Sequence, residues 1–156
     1  MTDKKTRTAR KNGELYRLKL PADSANLDII RRFVSGIAEN MGFSGDDIYE
    51  IELAVDEACA NVVKHAYANA KNGEKIINVR VKDRKDRIEI SIADKGVGFK
   101  PDELPTPDMD KYLKEMKKGG LGVHLIRTLM DEVHFHMSPG VRNEVKMTKL
   151  VPQPRG

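Results

Sequence analysis

Tryptophan is absent from the 156 residues and aromatic side chains make up only 5%, so the interior has to be built from Ile, Leu, Val and Met. Cysteine occurs once, at Cys59, which excludes an intrachain disulfide. No apolar run approaches the roughly 20 residues needed to cross a bilayer. The basic N-terminus is not followed by the apolar stretch of an ordinary secretory signal. Together these absences point away from membrane and secreted classes, and the cytoplasm is the expected location. A P-loop is missing too, since Gly-x-x-x-x-Gly-Lys-Ser/Thr occurs nowhere.

Excess charge is also missing from most of the chain. The formal balance is +4, a value that raises the question of a nucleic-acid partner. The stretch Met1–Asn12 carries five cations (Lys4, Lys5, Arg7, Arg10, Lys11) against Asp3, and the remainder balances to zero. A basic, disordered tail over residues 1–12 is therefore expected, with no direct nucleic-acid contact from the folded part. Residues 13–151 suit one domain, followed by a short tail over residues 152–156.

What is present is strong periodicity. Tyr16, Leu18 and Leu20 alternate with Arg17 and Lys19, predicting a strand over Glu14–Leu20 that Pro21 ends. Ser24 reads as a cap for an amphipathic helix over Ala25–Met41, with Gly42 at its C-terminal stop. Ser44 and Asp47 resemble a capping box opening a second helix from Gly45 to about Ala68, with Ile48, Ile51, Val55, Ala58 and Val62 as its apolar seam. Lys75–Lys82 and Arg87–Ala93 read as a hairpin. Periodicity then lapses from Asp94 to Gly122, a long loop with one helical turn expected near Met109–Lys117. Gly122–Met130 reads as a helix, and Val133–Met137 with Glu144–Leu150 as a last strand pair. The expected fold class is α+β: a two-layer sandwich whose mixed, mainly antiparallel sheet carries its helices on one face.

Three constellations carry chemistry. On the second helix Glu50, Ala54, Glu57, Asn61 and His65 form a stripe beside the apolar seam. Glu57 and Asn61, one turn apart, can present a carboxylate and an amide oxygen to one cation or one water, although a solvated helix shoulder gives the same pattern. On the strand, Ile88, Ile90 and Ile92 set a core-facing parity that Asp94 continues. A carboxylate there needs a dedicated donor, and a purine exocyclic amine is one such donor. Gly96 and Gly98 allow a flat ring to approach the backbone. Finally, Lys118-Gly119-Gly120-Leu121-Gly122 leads into a helix, where free N–H groups suit a phosphate. His134 and His136 share a strand face but have no third ligand nearby, so they are expected at the surface.

In this order the three segments resemble the GHKL, or Bergerat-fold, ATPases. Glu57-Ala-Cys-Ala-Asn61 is similar to that family's N box, Asp94-Lys-Gly-Val-Gly98-Phe to its first glycine box, and Gly120-Leu121-Gly122 to its second. Within it, Glu57 through Tyr67 and Gly120 through Asp131 resemble the bacterial anti-sigma factor serine kinases. The resemblance covers Glu14–Leu150.

That resemblance implies transfer of the ATP γ-phosphate to a serine or threonine of a STAS-type anti-anti-sigma protein, sequestration of a sigma factor, and a homodimer. It implies that Glu57 orients or deprotonates the attacking hydroxyl and that Asn61 holds Mg²⁺. Asp94 would accept from adenine, and Gly96, Gly98, Lys118, Gly120, Leu121, Gly122 and Asn143 would line the nucleotide. Two positions depart from the pattern. Lys117-Lys118 stand where the family often has Glu-Arg, and Asn143 where it often has Thr. The alternative is an ATP-binding regulatory module of the same fold without phosphotransfer.

Overall fold

The computed structural model describes residues 13–66, 75–96 and 122–152. Five strands and three α-helices occur among them: β1 (Glu14–Pro21), α1 (Leu27–Asn40), α2 (Gly45–Asn61), β2 (Ile76–Asp83), β3 (Arg87–Asp94), α3 (Gly122–Leu129), β4 (Glu132–Ser138) and β5 (Arg142–Leu150). The sheet order is β1-β2-β3-β5-β4. All four pairings are antiparallel.

Strand register explains where the core lies. Tyr16, Val81, Ile90, Met147 and Val133 are successive partners across the sheet, and so are Leu18, Val79, Ile92, Val145 and Phe135. These rows face the helices and are apolar. The alternate rows place Arg17 opposite Arg80 and Lys19 opposite Asn78 on the other face. Ile30, Val34 and Ala38 of α1 and Ile51, Val55 and Ala58 of α2 cover the apolar face. Cys59 is buried with them, as a small core residue.

Local signals set the helix ends, with two departures from expectation. The first cap is Asp23, whose carboxylate accepts from the Ala25 N–H at 2.9 Å, rather than Ser24. Ser24–Asn26 forms a 3₁₀ turn, so α1 starts only at Leu27. Asp23 wins because its extended backbone aims the carboxylate at the free N–H groups of that turn. At the other end, Gly42 has φ +92°, and its N–H and that of Phe43 return to the carbonyls of Glu39 and Ala38, a Schellman closure. Ser44 caps α2 as expected, accepting from the Asp47 N–H at 3.3 Å. The regular α-helix ends at Asn61, however, and Val62–Ala66 continues as one π turn. The apolar seam runs on through Val62, so periodicity alone shows no break there. No helix among the described residues is long and apolar enough to cross a membrane.

Candidate functional site

β3 delivers Asp94 to its C-terminal end on the core face, as strand parity requires, and the residue is 5% exposed. Its neighbours are donors. Asp94 Oδ1 accepts from the Gly96 N–H at 2.8 Å and from Asn143 Nδ2 at 3.0 Å. The same Asn143 nitrogen reaches the Gly96 carbonyl at 2.7 Å, and the Gly140 N–H reaches that carbonyl at 2.8 Å. The turn after β3 is thereby tied to the β4–β5 hairpin. Asp94 and Asn143 are direct register partners, so the sheet itself sets this contact. The carboxylate's Oδ2 has no hydrogen-bond partner among the described residues and is left as an acceptor.

Asn61 is buried at the last position of α2, and its amide has no hydrogen-bond partner among the described residues. Glu57, one turn earlier, is half-buried and makes no hydrogen bond or ion pair among those residues. Burial pushes its carboxyl above the ordinary glutamate range, opposed by Lys64 and reinforced by Asp56. The helix shoulder thus presents a desolvated carboxylate with raised proton affinity and an amide with spare hydrogen-bonding capacity. Gly122 opens α3, which packs against α2 through Ile126 and its neighbours.

Among the sequence-identified residues, the structure joins Asp94, Gly96 and Asn143 by hydrogen bonds and puts Glu57 and Asn61 together on α2. Gly98, Lys118, Gly120 and Leu121 lie outside the described residues. So does the helical turn expected near Met109–Lys117. His134 and His136 are exposed on β4. One contact goes beyond the sequence pattern. Lys149 faces the core side of β5, and its ammonium donates to Glu50 Oε2 and to the Leu129 carbonyl, each at 2.7 Å. A lysine on the inward parity of Val145 and Met147 is the signal that could have revealed it.

With this geometry in hand, comparisons with known proteins are specific. The chain matches the histidine kinase-like ATPase domain over residues 20–149 and belongs to that family. It is similar to the serine-protein kinase RsbW of Bacillus licheniformis, 42% identical over 142 residues that cover 88% of this chain and 86% of that protein. The RsbW of Bacillus subtilis is 39% identical over 145 residues, covering 90% and 88%. Two solved structures share the fold. The RsbU and RsbW domains of a Mycobacterium tuberculosis protein match with TM-score 0.65 at 18% identity, over 90% of this chain and 33% of that longer chain. The SiaB–SiaC complex of Pseudomonas aeruginosa matches with TM-score 0.58 at 12% identity, over 97% and 98%. ATP use follows from family membership.

Proposed function

We infer that the protein is an ATP-dependent serine/threonine kinase and anti-sigma factor that phosphorylates a STAS-type anti-anti-sigma protein and sequesters a sigma factor. The observation that carries this reading is Glu57: a half-buried carboxyl of raised proton affinity, one helical turn from the Asn61 amide, neither side chain having a hydrogen bond or ion pair among the described residues.

ATP is the phosphoryl donor. Asp94 Oδ2 accepts from the adenine amino group, and Gly96 lets the ring approach the backbone. By the resemblance, Gly98, Gly120, Leu121 and Gly122 would line the nucleotide, with Lys118 adding positive charge but no bidentate fork. The α3 N-terminus favours anionic oxygens. Asn61 fits Mg²⁺, because its side-chain oxygen has no hydrogen-bond partner among the described residues and Mg²⁺ generally takes only one or two protein ligands beside substrate phosphates. When bound, the ion neutralises charge on the phosphates. Glu57 orients the partner's hydroxyl and accepts its proton as the hydroxyl oxygen bonds to the γ-phosphorus. The bond from that phosphorus to the β,γ-bridging oxygen breaks, and ADP leaves with the electron pair. Positioned general-base help of this kind is worth roughly 100–10,000-fold.

A homodimer in the cytoplasm completes the reading. Support for it comes from the resemblance. Incubation with γ-labelled ATP, Mg²⁺ and candidate STAS proteins tests the activity. Label on a cognate STAS protein is expected. If ATP binds and none acquires label, a regulatory module without phosphotransfer replaces the kinase.

A further inference from the structure

The core-facing row of β5 runs Val145, Met147 and Lys149, so a charged side chain stands where an apolar one would pack without the cost of desolvating an ammonium. Lys149 is buried, with 9% of its side chain exposed. Its ammonium donates to Glu50 Oε2 of α2 and to the Leu129 carbonyl at the end of α3, each at 2.7 Å. The last carbonyls of a helix lack an intrahelical donor, and the negative end of the helix dipole suits a cation.

The two grips are placed alike with respect to the site. Glu50 precedes Glu57 by seven residues on α2, and Leu129 follows Gly122 by seven on α3. Seven residues are about two helical turns, roughly 10 Å along the axis, so Glu50 shares a helix face with Glu57. Lys149 thus holds α2 about two turns before the base and α3 about two turns after the end that faces phosphate. Where α2 and α3 pack directly, apolar side chains such as Ile126 meet. Apolar contacts are non-directional and let packed helices slide, whereas hydrogen bonds fix direction and distance.

We propose that Lys149 is a positioning residue for phosphoryl transfer, holding α2 and α3 in the alignment that sets Glu57 against the phosphates at the α3 N-terminus. This rests on the kinase reading above and adds to it a residue that touches neither nucleotide nor partner. Adenine is held at the ends of β3 and β5, so losing the clamp affects the rate of transfer more than the affinity for ATP.

The test is single-turnover transfer from γ-labelled ATP to a cognate STAS protein, with ATP affinities measured alongside, below the melting range of every variant. Glu50→Ala removes the α2 grip and is expected to slow transfer about 10–100-fold, the scale of a misplacement of about 1 Å. Lys149→Met removes both grips and should slow it at least as much. Glu50→Gln keeps an acceptor for the ammonium and should stay within about threefold of wild type, with ATP affinity within about fivefold throughout. Glu50 is 43% exposed in its side chain, so its variants decide the matter even if Lys149→Met does not fold. Gly42→Ala, destabilised at the far end of α1, is the control and should transfer at the wild-type rate. Transfer by Glu50→Ala within about threefold of wild type overturns the proposal. So does a loss of ATP affinity that matches the loss of rate, or an equal slowing in Gly42→Ala. Absence of transfer by the wild type would instead remove the kinase reading, and this role with it.

Discussion

Lys149 and Glu50 form an ion pair of 2.7 Å between residues 99 positions apart, and the same ammonium caps the Leu129 carbonyl at the end of α3. One side chain of the sheet thus fastens both helices that carry site residues. Lys149 is 9% exposed in its side chain, while Glu50 is 43% exposed and can return to water if its partner is lost. Lys149→Met is therefore expected to cost about 1–3 kcal/mol, from the lost charged hydrogen bonds and the stranded carbonyl. Glu50→Gln, which keeps an acceptor, should cost less than about 1 kcal/mol. Chemical denaturation of the three proteins checks the order.

The Schellman closure after α1 makes a second expectation. A methyl group at Gly42 would meet only open space, yet the backbone there has a φ of +92°. Gly42→Ala should destabilise by about 1–2 kcal/mol through backbone strain alone, read as a lower thermal midpoint. At this chain length that is a drop of roughly 2–8 °C.

Parity on β3 makes Asp94 legible, because Ile88, Ile90 and Ile92 fix which face the next alternate residue must share. The hairpins are legible from turn residues and alternation. The insertion of β5 between β3 and β4 is not, since strand order depends on how α3 carries the chain back over the sheet rather than on any local pattern. The parity that finds Asp94 applies equally to Lys149, but its partner Glu50 lies in a distant helix and only packing brings the two together. Likewise the π turn after Asn61 interrupts a seam whose apolar spacing continues. The cap at Asp23 turns on one backbone angle, which two adjacent capping residues leave open. At the site, sequence shows Asn143 only as a polar substitute; its two donated bonds and unmet carbonyl emerge from the register of β3 with β5.

Asp94→Asn retains shape but replaces an acceptor oxygen with a donor. It is expected to weaken ATP binding about 10–100-fold, the range for one hydrogen bond to a charged group. Calorimetric titration decides, and equal affinity in variant and wild type would remove the adenine assignment.

Glu57 should trade stability for activity. A carboxyl whose folded-state pKa is raised opposes folding once ionised; the penalty is absent below the unfolded pKa and complete above the raised folded one. Glu57→Gln is therefore expected to melt higher than wild type at neutral pH. That advantage should shrink as pH falls through the raised Glu57 pKa and vanish below the ordinary glutamate range. Thermal melts across pH measure it. Transfer by the wild type should fall over the same window, because the base acts only when deprotonated.

The most direct measurement is single-turnover transfer from γ-labelled ATP to a cognate STAS protein, run with wild type and Glu57→Gln alongside their ATP affinities. Affinities within about threefold and a transfer rate at least about 100-fold lower in the variant are expected, the lower bound for losing a general base. Transfer by Glu57→Gln at a rate near that of wild type would contradict the role of Glu57 and the phosphotransfer mechanism built on it.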